Sequence, residues 1–312
     1  KMKVWLKNKF PEEKDSVVEK KAFDTARGIL PMSTLGQVAF FGNGQAFEYM
    51  MSSSLEHKLG ELRWFAEASK QELSGEIGSL LLRLEGEKSK IYQKYLAGKR
   101  ERVREDAEKF WPKKGRAEVK LLGYSPDGEA AIVAGILFPS SKSSWMDLMK
   151  EAKKMNIKEK KKIIEKYLEG REERWQKTGR AFENAFLRFE ITMNAGAYRD
   201  LHRHRMHTQE RQLFTIIHGY DIPPELEEAG FAWQVEDAMD KVETLYEKIK
   251  DRLGEEHAQY ATTLFHRVRF YQYQNVRQAF WEIELRTGPQ GHPDYRHVEQ
   301  EKFKLIEKVY PT

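Results

Sequence analysis

An Arg-His-Arg triplet at residues 203–205 is the cluster in this 312-residue sequence that is best suited to bind an anion. Arginine stays protonated at physiological pH, and its planar guanidinium can bind a phosphate through two hydrogen bonds. Histidine titrates near neutral pH, so His204 could add a third positive charge. The triplet therefore indicates a site for a phosphate or another anion. A solvated basic helix end, favoured by the helix dipole, is the alternative explanation of the same residues.

The residues before the triplet must position it. Within residues 182–193, a pattern typical of a strand of mixed burial is formed by Phe182, Phe186, Leu187, Phe189, Ile191 and Met193. Residues 195–205 then have a helical pattern. The sequence therefore places the three side chains at the end of a strand-helix unit.

This segment resembles the flavin-dependent thymidylate synthases. Their signature is Arg-His-Arg followed at a fixed distance by Ser, with a Phe-Glu-His run upstream. Here Phe182-Glu183 and the triplet stand at the family's separation, without a gap. The resemblance implies that Arg203, His204 and Arg205 contact FAD.

The sequence departs from the family pattern on the substrate side. Asn184 stands where the family has His, and Leu213 stands where it has Ser. Residues 206–215 lack the Asn-Glu-x-Ser-x-Arg-Tyr series that binds dUMP in the family. Glu210 alone can match that series, with a shift of one residue, so the resemblance implies a substrate contact for Glu210.

A second block supports the resemblance. Residues 272–277 and 284–286 are similar to the family's Asn-Ala-Arg-Ser-Leu run and its later Leu-Arg. The resemblance implies a flavin contact for Asn275 and a dUMP contact for Arg286. The residues alone explain Asn275 equally well as the N-cap of a helix, and a cap can also contact a ligand.

The beginning of the sequence resembles the C-terminal half of the family once more. Residues 24–31 and 40–47 carry this match. Arg27 stands at the position of an arginine that reaches dUMP, and Asn43 at that of the flavin asparagine. Because Arg27 and Arg286 occur in different copies, the copies are predicted to supply complementary parts of one site.

The repeated match predicts two domains. Residues 1–112 correspond to the C-terminal half of a first thymidylate synthase-like repeat, and residues 113–312 to a complete second repeat. Because the sequence starts at Lys1 and not at Met, we expect a C-terminal portion of a longer protein or a processed product. Family members build each site from several subunits of a tetramer. The resemblance therefore implies a homo-oligomer, either a tetramer or a dimer that acts as a pseudo-tetramer.

The order of elements predicts an α+β fold, with a mixed or antiparallel sheet and long packed helices in tandem copies. Short strands are expected at residues 119–124 and 130–138, and a linker at Pro112 to Gly115. Helices are predicted at residues 47–68, 73–110, 145–155, 157–168 and 235–253, and from Tyr295 onwards. The helix at residues 73–110 is expected to break near Gly98.

Composition limits the classes of function. The absence of Cys from the sequence excludes disulfides, thiolate catalysis and zinc-thiolate sites, and it fits a cytoplasmic protein. The net charge of +5 is small beside 54 basic and 49 acidic residues, which alternate as on solvated helix faces. We therefore expect no nucleic-acid partner. No apolar run is long enough to span a bilayer, so no membrane partner is expected.

Three histidines near the triplet do not have the spacing of a metal site. Side chains two positions apart on a helix face different sides, and no carboxylate completes a set with His202, His204 and His207. We predict no metal.

These features predict an FAD-dependent enzyme that methylates a pyrimidine nucleotide, either dUMP to dTMP or a related C5 methylation. The resemblance implies NADPH and methylenetetrahydrofolate as co-substrates. No catalytic residue can be assigned. The alternative, favoured by Asn184 and Leu213, is a non-catalytic or repurposed scaffold of the same fold that binds a flavin or a nucleotide.

Overall fold

The computed structural model describes residues 1–110 and 114–312. The chain divides into two compact units, each built from segments that are separate in the sequence. Unit 1 comprises Lys1–Met32, Lys114–Thr244 and Ala261–Thr312, and unit 2 comprises Ser33–Lys113 and Leu245–Tyr260. These units are defined by contacts in space, whereas the two sequence repeats stay a prediction.

Unit 1 contains an antiparallel sheet of four strands. The strands are β1 (Glu118–Tyr124), β2 (Phe186–Asn194), β3 (Thr208–Arg211) and β4 (Arg267–Asn275), in the order β1-β2-β4-β3. β2 pairs with β4 from Phe186 opposite Asn275 to Asn194 opposite Arg267. The predicted α+β class is confirmed, and of the two predicted sheet types, mixed or antiparallel, the sheet is antiparallel.

Alternation of side chains along the two central strands builds the core. Every second residue of β2 is apolar and buried: Leu187, Phe189, Ile191 and Met193. On β4, Val268 and Phe270 join the same core, and Gln272 and Gln274 occupy the next two buried positions. Two buried glutamines in the middle of a sheet require polar partners.

The helices of the described residues connect and cover these strands. In chain order they are α1 (Met2–Lys9), α2 (Asp15–Ala26), α3 (Gly44–Ser54), α4 (Gly60–Leu81), α5 (Glu87–Glu101), α6 (Arg104–Glu108), α7 (Gly128–Leu137), α8 (Trp145–Lys154), α9 (Ile157–Leu168), α10 (Ala195–Leu201), α11 (Pro224–Glu228), α12 (Ala232–Leu253), α13 (Glu255–Ala258), α14 (Val276–Arg286) and α15 (Pro293–Val309). In this part of the chain, no helix is long and apolar enough to cross a membrane.

Three predictions in unit 1 are wrong in detail. The strand predicted from Phe182 begins only at Phe186, because residues 180–184 form a 3-10 turn. Residues 130–138, predicted as a strand, belong mostly to α7. This helix buries Ala130, Ile132 and Val133, so its apolar run lacks the polar face that would have identified a helix. The helix predicted at residues 195–205 ends at Leu201, before the Arg-His-Arg triplet.

Unit 2 is helical and has its own small apolar core. Met51, Ala66, Leu81 and Leu84 form this core. The helix predicted at residues 47–68 is interrupted between α3 and α4, where Leu59 N donates to His57 Nδ1 at 3.1 Å. The helix predicted at residues 73–110 is divided among α4, α5 and α6, and the break predicted near Gly98 is wrong, because Gly98 lies within α5. The predicted linker at Pro112 to Gly115 begins outside the described residues.

Candidate functional site

The Arg-His-Arg triplet lies in a turn after α10. Asn194 begins α10, because its Oδ1 accepts a hydrogen bond at 2.8 Å from the backbone N–H three residues later. Leu201, which is buried, ends the helix. The next residues leave the helical path, so Arg203 and Arg205 are exposed whereas His204 is buried.

His204 is fixed between two side chains of α14. Its Nε2 accepts a hydrogen bond from Arg286 Nε at 2.9 Å, and its Nδ1 lies 3.3 Å from the side-chain amide nitrogen of Gln278. Burial lowers the pKa of His204 to about 4, although the nearby Glu282 carboxylate opposes this shift. The ring is therefore neutral at pH 7. The expected third positive charge is wrong, and the triplet consists of two cations that flank a neutral ring.

Arg286 is held at the end of α14. Its Nη2 donates to the Asp200 carbonyl oxygen at 2.5 Å, and its Nη1 lies 3.8 Å from the Asp200 carboxylate. Its guanidinium also lies 5.5 Å from the centre of the Tyr295 ring. Only 13% of the side chain is exposed. These contacts with His204, Asp200 and Tyr295 fix the direction of the guanidinium.

Asn275 joins β4 to α14. Its Oδ1 accepts a hydrogen bond from Gln278 N at 2.8 Å, which confirms the predicted N-cap. Within the described residues, its side-chain NH₂ makes no hydrogen bond, so the cap leaves two N–H donors for a ligand. The two roles weighed from the sequence can therefore coexist.

These residues border a cavity of about 640 Å³ in unit 1. Its walls come from α14, the triplet, the loop after α9 and the turn before β2. The lining residues are Arg171, Arg174, Lys177, Thr178, Glu183, Arg203, His204, Arg205, Met206, Asn275, Arg277, Gln278, Phe280, Trp281, Glu284, Leu285 and Arg286. Seven of these are Arg or Lys and two are Glu, so the cavity has an excess of positive charge that suits an anionic ligand.

Both glutamates of the cavity are paired with arginines. Arg171 donates to Glu284 through two hydrogen bonds of 2.8 and 2.6 Å. Arg277 donates to Glu183 at 2.5 Å, and this hydrogen bond holds the pKa of the Glu183 carboxyl below its usual range. The two ion pairs are neutral overall, so the excess charge comes from the other cations.

Four of those cations are accessible to a ligand. Arg174, Lys177 and Arg205 are exposed and have no carboxylate within ion-pair distance among residues 1–110 and 114–312. Arg203 lies 3.6 Å from the Asp200 carboxylate and is 72% exposed. An ion pair this exposed contributes little, so Arg203 can exchange it for a phosphate.

The structure brings together five of the eight contact residues predicted from the sequence. Those that line the cavity are Arg203, His204, Arg205, Asn275 and Arg286. They come from two separate blocks of the sequence, which the pairing of β2 with β4 places side by side.

The other three predicted contact residues do not line this cavity. Arg27 follows α2 and forms an ion pair with Asp24 at 3.2 Å. Asn43 belongs to unit 2, where it is the N-cap of α3. Glu210 lies exposed on β3, opposite Tyr271. Ligand contacts by Arg27, Asn43 and Glu210 stay predictions.

Neither of the two residues that depart from the family pattern lines the cavity. Asn184 Nδ2 donates to the Ala181 carbonyl oxygen at 2.9 Å and so closes the turn before β2. Leu213 follows β3, is half-buried and does not line the cavity.

Across the described ranges, no group of three or more His, Asp or Glu side chains is placed to hold a metal ion.

Sequence reasoning missed the loop after α9 and the indole of Trp281. Arg171, Arg174 and Lys177 of this loop line the cavity together with Trp281. The available signal was a basic residue at every third position from Arg171 to Arg180, directly before the aromatic strand.

A fully buried ionic cluster lies next to the residues that hold His204. Lys302 Nζ donates to Glu282 Oε2 at 2.9 Å, to Glu299 Oε1 at 3.1 Å and to Gln272 Oε1 at 3.1 Å. Gln272 Nε2 donates to the other Glu282 oxygen at 3.1 Å. The side chains of Lys302, Glu282 and Glu299 are 0% exposed. The cluster supplies the polar partner that Gln272 of β4 requires.

The two glutamates of the cluster differ in charge. Burial disfavours the charged form of Glu282, but Lys302 outweighs this effect and keeps the pKa of Glu282 below its usual range. Burial and the Glu282 charge raise the pKa of Glu299 to about 8. At neutral pH the cluster therefore holds one lysine cation, one carboxylate and one protonated carboxyl group.

Comparison with known proteins assigns the family. The sequence model of the thymidylate synthase complementing protein family matches residues 120–312. This match covers more than half of the chain and includes every residue that lines the cavity. The chain belongs to this family. The family is flavin-dependent.

Relatives of the chain occur in bacteria and archaea. A UPF0159 protein of Chlamydia pneumoniae is 34% identical over 296 residues, which are 93% of this chain and 56% of the relative. A UPF0159 protein of Chlamydia muridarum is 34% identical, over 94% of this chain and 56% of the relative. A UPF0159 protein of Thermoplasma acidophilum is 31% identical, over 95% of this chain and 59% of the relative. The chain therefore spans a little more than half of the length of these relatives.

Proposed function

We propose that the cavity binds FAD and that the protein is an FAD-dependent methyltransferase acting on a pyrimidine nucleotide, in the conversion of dUMP to dTMP or a related C5 methylation. One observation carries the proposal. Arg203, His204, Arg205, Asn275 and Arg286, named from a resemblance in two separate sequence blocks, line a single cavity with excess positive charge.

The side chains of the cavity fit FAD. Arg203 and Arg205 are exposed cations that can bind a pyrophosphate through paired hydrogen bonds. The free N–H groups of Asn275 can donate to the carbonyl oxygens of a flavin ring. Phe280 and Trp281 offer apolar surface for planar rings. When bound, FAD would supply the hydride for the reaction, with methylenetetrahydrofolate as the carbon donor and NADPH as the reductant.

Each residue has a distinct role in this proposal. The neutral ring of His204 accepts the hydrogen bond from Arg286 and thereby orients its guanidinium. Arg286 then presents a fixed positive charge to the nucleotide, whose ring becomes more negative during C5 chemistry. No side chain of the cavity is assigned as a general acid or base.

A second candidate is a non-catalytic flavin- or nucleotide-binding scaffold. The observation in its favour is that Arg286 already uses its Nε on His204 and its Nη2 on Asp200. Leu213 also offers no hydroxyl group for a substrate. In this candidate, Arg286 and His204 serve the fold and only the flavin contacts are kept.

Assembly is part of the proposal. A dimer of this chain, acting as a pseudo-tetramer, would let Arg27 and Asn43 of one copy contribute to a site of another. Large apolar side chains that are exposed in the described residues support an unfilled interface, among them Leu35, Val38, Phe41 and Trp64. Light scattering at micromolar concentration tests it, and a strictly monomeric protein would contradict shared sites.

Calorimetric titration with FAD tests the cofactor. Arg203→Ala removes a charge-assisted hydrogen bond and should weaken FAD binding by about 1.5 to 3 kcal/mol. Arg199→Ala is the matched control, because Arg199 is an exposed arginine on α10 that does not line the cavity. Equal losses in both variants, or no FAD binding by the unmodified protein, would contradict the proposal.

Release of deuterium from C5-labelled dUMP separates the two candidates. An active methyltransferase releases the label when FAD, NADPH and methylenetetrahydrofolate are present, whereas the scaffold binds FAD without release. Because the dUMP series is missing from residues 206–215, we expect weak dUMP binding and slow release.

A further inference from the structure

α14 has two faces that border the cavity. One carries residues that the family resemblance predicts, and the other carries residues that it does not. Asn275, Gln278 and Arg286 follow one another at near-helical spacing and share the face that holds His204. Trp281 and Glu284 are three residues apart and share a second face, turned towards the loop after α9. The residues predicted from the family resemblance leave this second face without a ligand.

The loop opposite that face is firmly built. Arg171 joins it to α14 through the two hydrogen bonds to Glu284, and Arg171 Nε also donates to the Gln176 carbonyl oxygen at 2.7 Å. Gln176 Oε1 accepts hydrogen bonds from the backbone N–H groups of Glu172 and Glu173 at 2.7 and 2.6 Å. A loop closed by its own hydrogen bonds can hold side chains in fixed positions.

The loop places two cations near an exposed indole. The guanidinium carbon of Arg174 lies 5.7 Å from the centre of the Trp281 ring, and the ring is 42% exposed. Lys177 lines the same wall, and neither cation has an ion-pair partner among the described residues. The carboxylates of Glu172 and Glu173 are exposed and lie outside the lining of the cavity.

We propose that Trp281, Arg174 and Lys177 form a subsite for an adenosine phosphate. The indole provides a flat surface on which a purine can stack, and this interaction does not depend on hydrogen bonds to the base. Arg174 can move off the ring, because no ion pair holds it, and it can then bind the phosphate together with Lys177. Two cations that have no ion-pair partner, placed beside an aromatic ring, thus recognise a base that carries a phosphate.

Two cofactors could supply this group. The adenylate half of FAD carries an adenine and a pyrophosphate, and NADPH carries an adenine with a 2′-phosphate. This inference rests on the proposed function in one respect: the protein must use FAD or NADPH. The chemistry of the subsite is the same in either case.

Binding of 5′-AMP, 2′,5′-ADP, FAD, FMN and NADPH to variants of Trp281 provides the test. Trp281→Ala should weaken binding of the adenosine phosphates by about 5- to 100-fold, the size expected for loss of one stacked base. Trp281→Phe should retain most of the affinity. Trp175→Ala is the control, since Trp175 is an exposed indole of the same loop that does not line the cavity. Circular dichroism checks that each variant is folded.

The pattern of losses identifies the cofactor. If FAD supplies the group, Trp281→Ala weakens FAD and 5′-AMP but not FMN, which has no adenosine. If NADPH supplies it, Trp281→Ala weakens the binding of NADPH and 2′,5′-ADP. Adding Arg174→Gln then weakens their binding further. Either pattern supports the subsite.

Two results separate this inference from the proposed function. The subsite is overturned if Arg203→Ala weakens FAD while Trp281→Ala leaves all five ligands unchanged, and the proposed function then stands. If FAD does not bind at all but 2′,5′-ADP binds in a Trp281-dependent manner, the proposed function fails and the subsite stands.

Discussion

Two helices of this protein begin in the same way but differ in everything around them. Asn275 caps α14 by accepting a hydrogen bond from Gln278 N at 2.8 Å, and Asn43 caps α3 by accepting one from Ala46 N at 2.9 Å. The chain before α14 is β4, paired with β2 and β3, whereas residues 34–42 before α3 belong to no strand of the described chain.

The comparison shows which part of a binding site is local. The asparagine cap follows from a few neighbouring residues and appears in both places. The cavity at α14 depends on more than the cap, because the paired strands bring Arg203, His204 and Arg205 next to that helix. A capping asparagine therefore predicts where a helix starts, and it does not by itself predict a ligand.

The interiors behind the two helices differ as well. α14 faces the buried cluster of Glu282, Glu299 and Lys302, while α3 contributes Met51 to an apolar core. A buried charge must be matched by its partner, whereas an apolar core tolerates replacement by residues of similar volume. Variants of the two regions should therefore respond very differently.

The largest expected effect is on stability, from Lys302→Met. This variant leaves the buried Glu282 without its cation and should lower the free energy of unfolding by about 3 to 5 kcal/mol. Met51→Leu, the counterpart behind α3, should cost less than about 1.5 kcal/mol. Urea denaturation measures both. Equal losses of the free energy of unfolding in the two variants would contradict the contrast between the interiors. Adding Glu282→Gln to Lys302→Met should restore part of the stability that Lys302→Met loses.

The next largest effect is that of pH. The free energy of unfolding should be highest near neutral pH. Burial lowers the pKa values of His204, His218 and His266 to about 4. The unfolded chain, with histidine pKa values of about 6.5, binds more protons than the folded chain below that pH. Acidification through this window should therefore lower the free energy of unfolding, by roughly 1.4 kcal/mol per pH unit for each histidine.

Glu299 produces the opposite slope on the alkaline side. Burial raises its folded pKa to about 8, above its unfolded value. Its contribution is fully present at low pH and is lost as the pH rises through the folded pKa. Denaturation at several pH values should show that Glu299→Gln removes the decline above about pH 6.5, where the three histidines no longer contribute. Met51→Leu should keep both slopes. A flat profile from pH 5 to pH 8 in the unmodified protein would contradict the assigned protonation states.

A smaller effect separates the two caps. Asn275→Ala and Asn43→Ala should each destabilise the protein by about 1 kcal/mol, since each removes one cap hydrogen bond. Asn275→Ala should also weaken FAD binding, and by more than Asn43→Ala, because Asn43 does not line the cavity of its own chain. Thermal melting and FAD titration of the same two variants make the comparison. An equal loss of FAD affinity in Asn43→Ala would instead favour a site that both repeats share.

The smallest effect is expected from Leu213→Ser. It restores one hydroxyl group of the family pattern, but Leu213 does not line the cavity and the other residues of the dUMP series are still absent. Contacts that act as a unit are not restored one at a time, so the rate of dTMP formation should not change. Recovery of rapid turnover by this single variant, or rapid turnover by the unmodified protein, would contradict the claim that the dUMP-binding residues have diverged from the family pattern.

The sequence was sufficient for those features that depend on neighbouring residues or on a family motif. It predicted an α+β fold with a mixed or antiparallel sheet, a cap as one of two roles for Asn275, and the triplet with Arg286. It could not predict that His204 is neutral, because that depends on burial by α14. Glu282 and Lys302 also went unnoticed, since charged residues on amphipathic helices are usually at the surface and only the packed structure shows this pair to be buried.

A crystal structure of the protein with FAD tests the central claim most directly. We predict density for the pyrophosphate within hydrogen-bond distance of Arg203 and Arg205, and for the flavin ring beside Asn275. His204 should remain bound to Arg286. Density for FAD at another place, or an empty cavity at saturating FAD, would contradict the assignment of this cavity as the cofactor site.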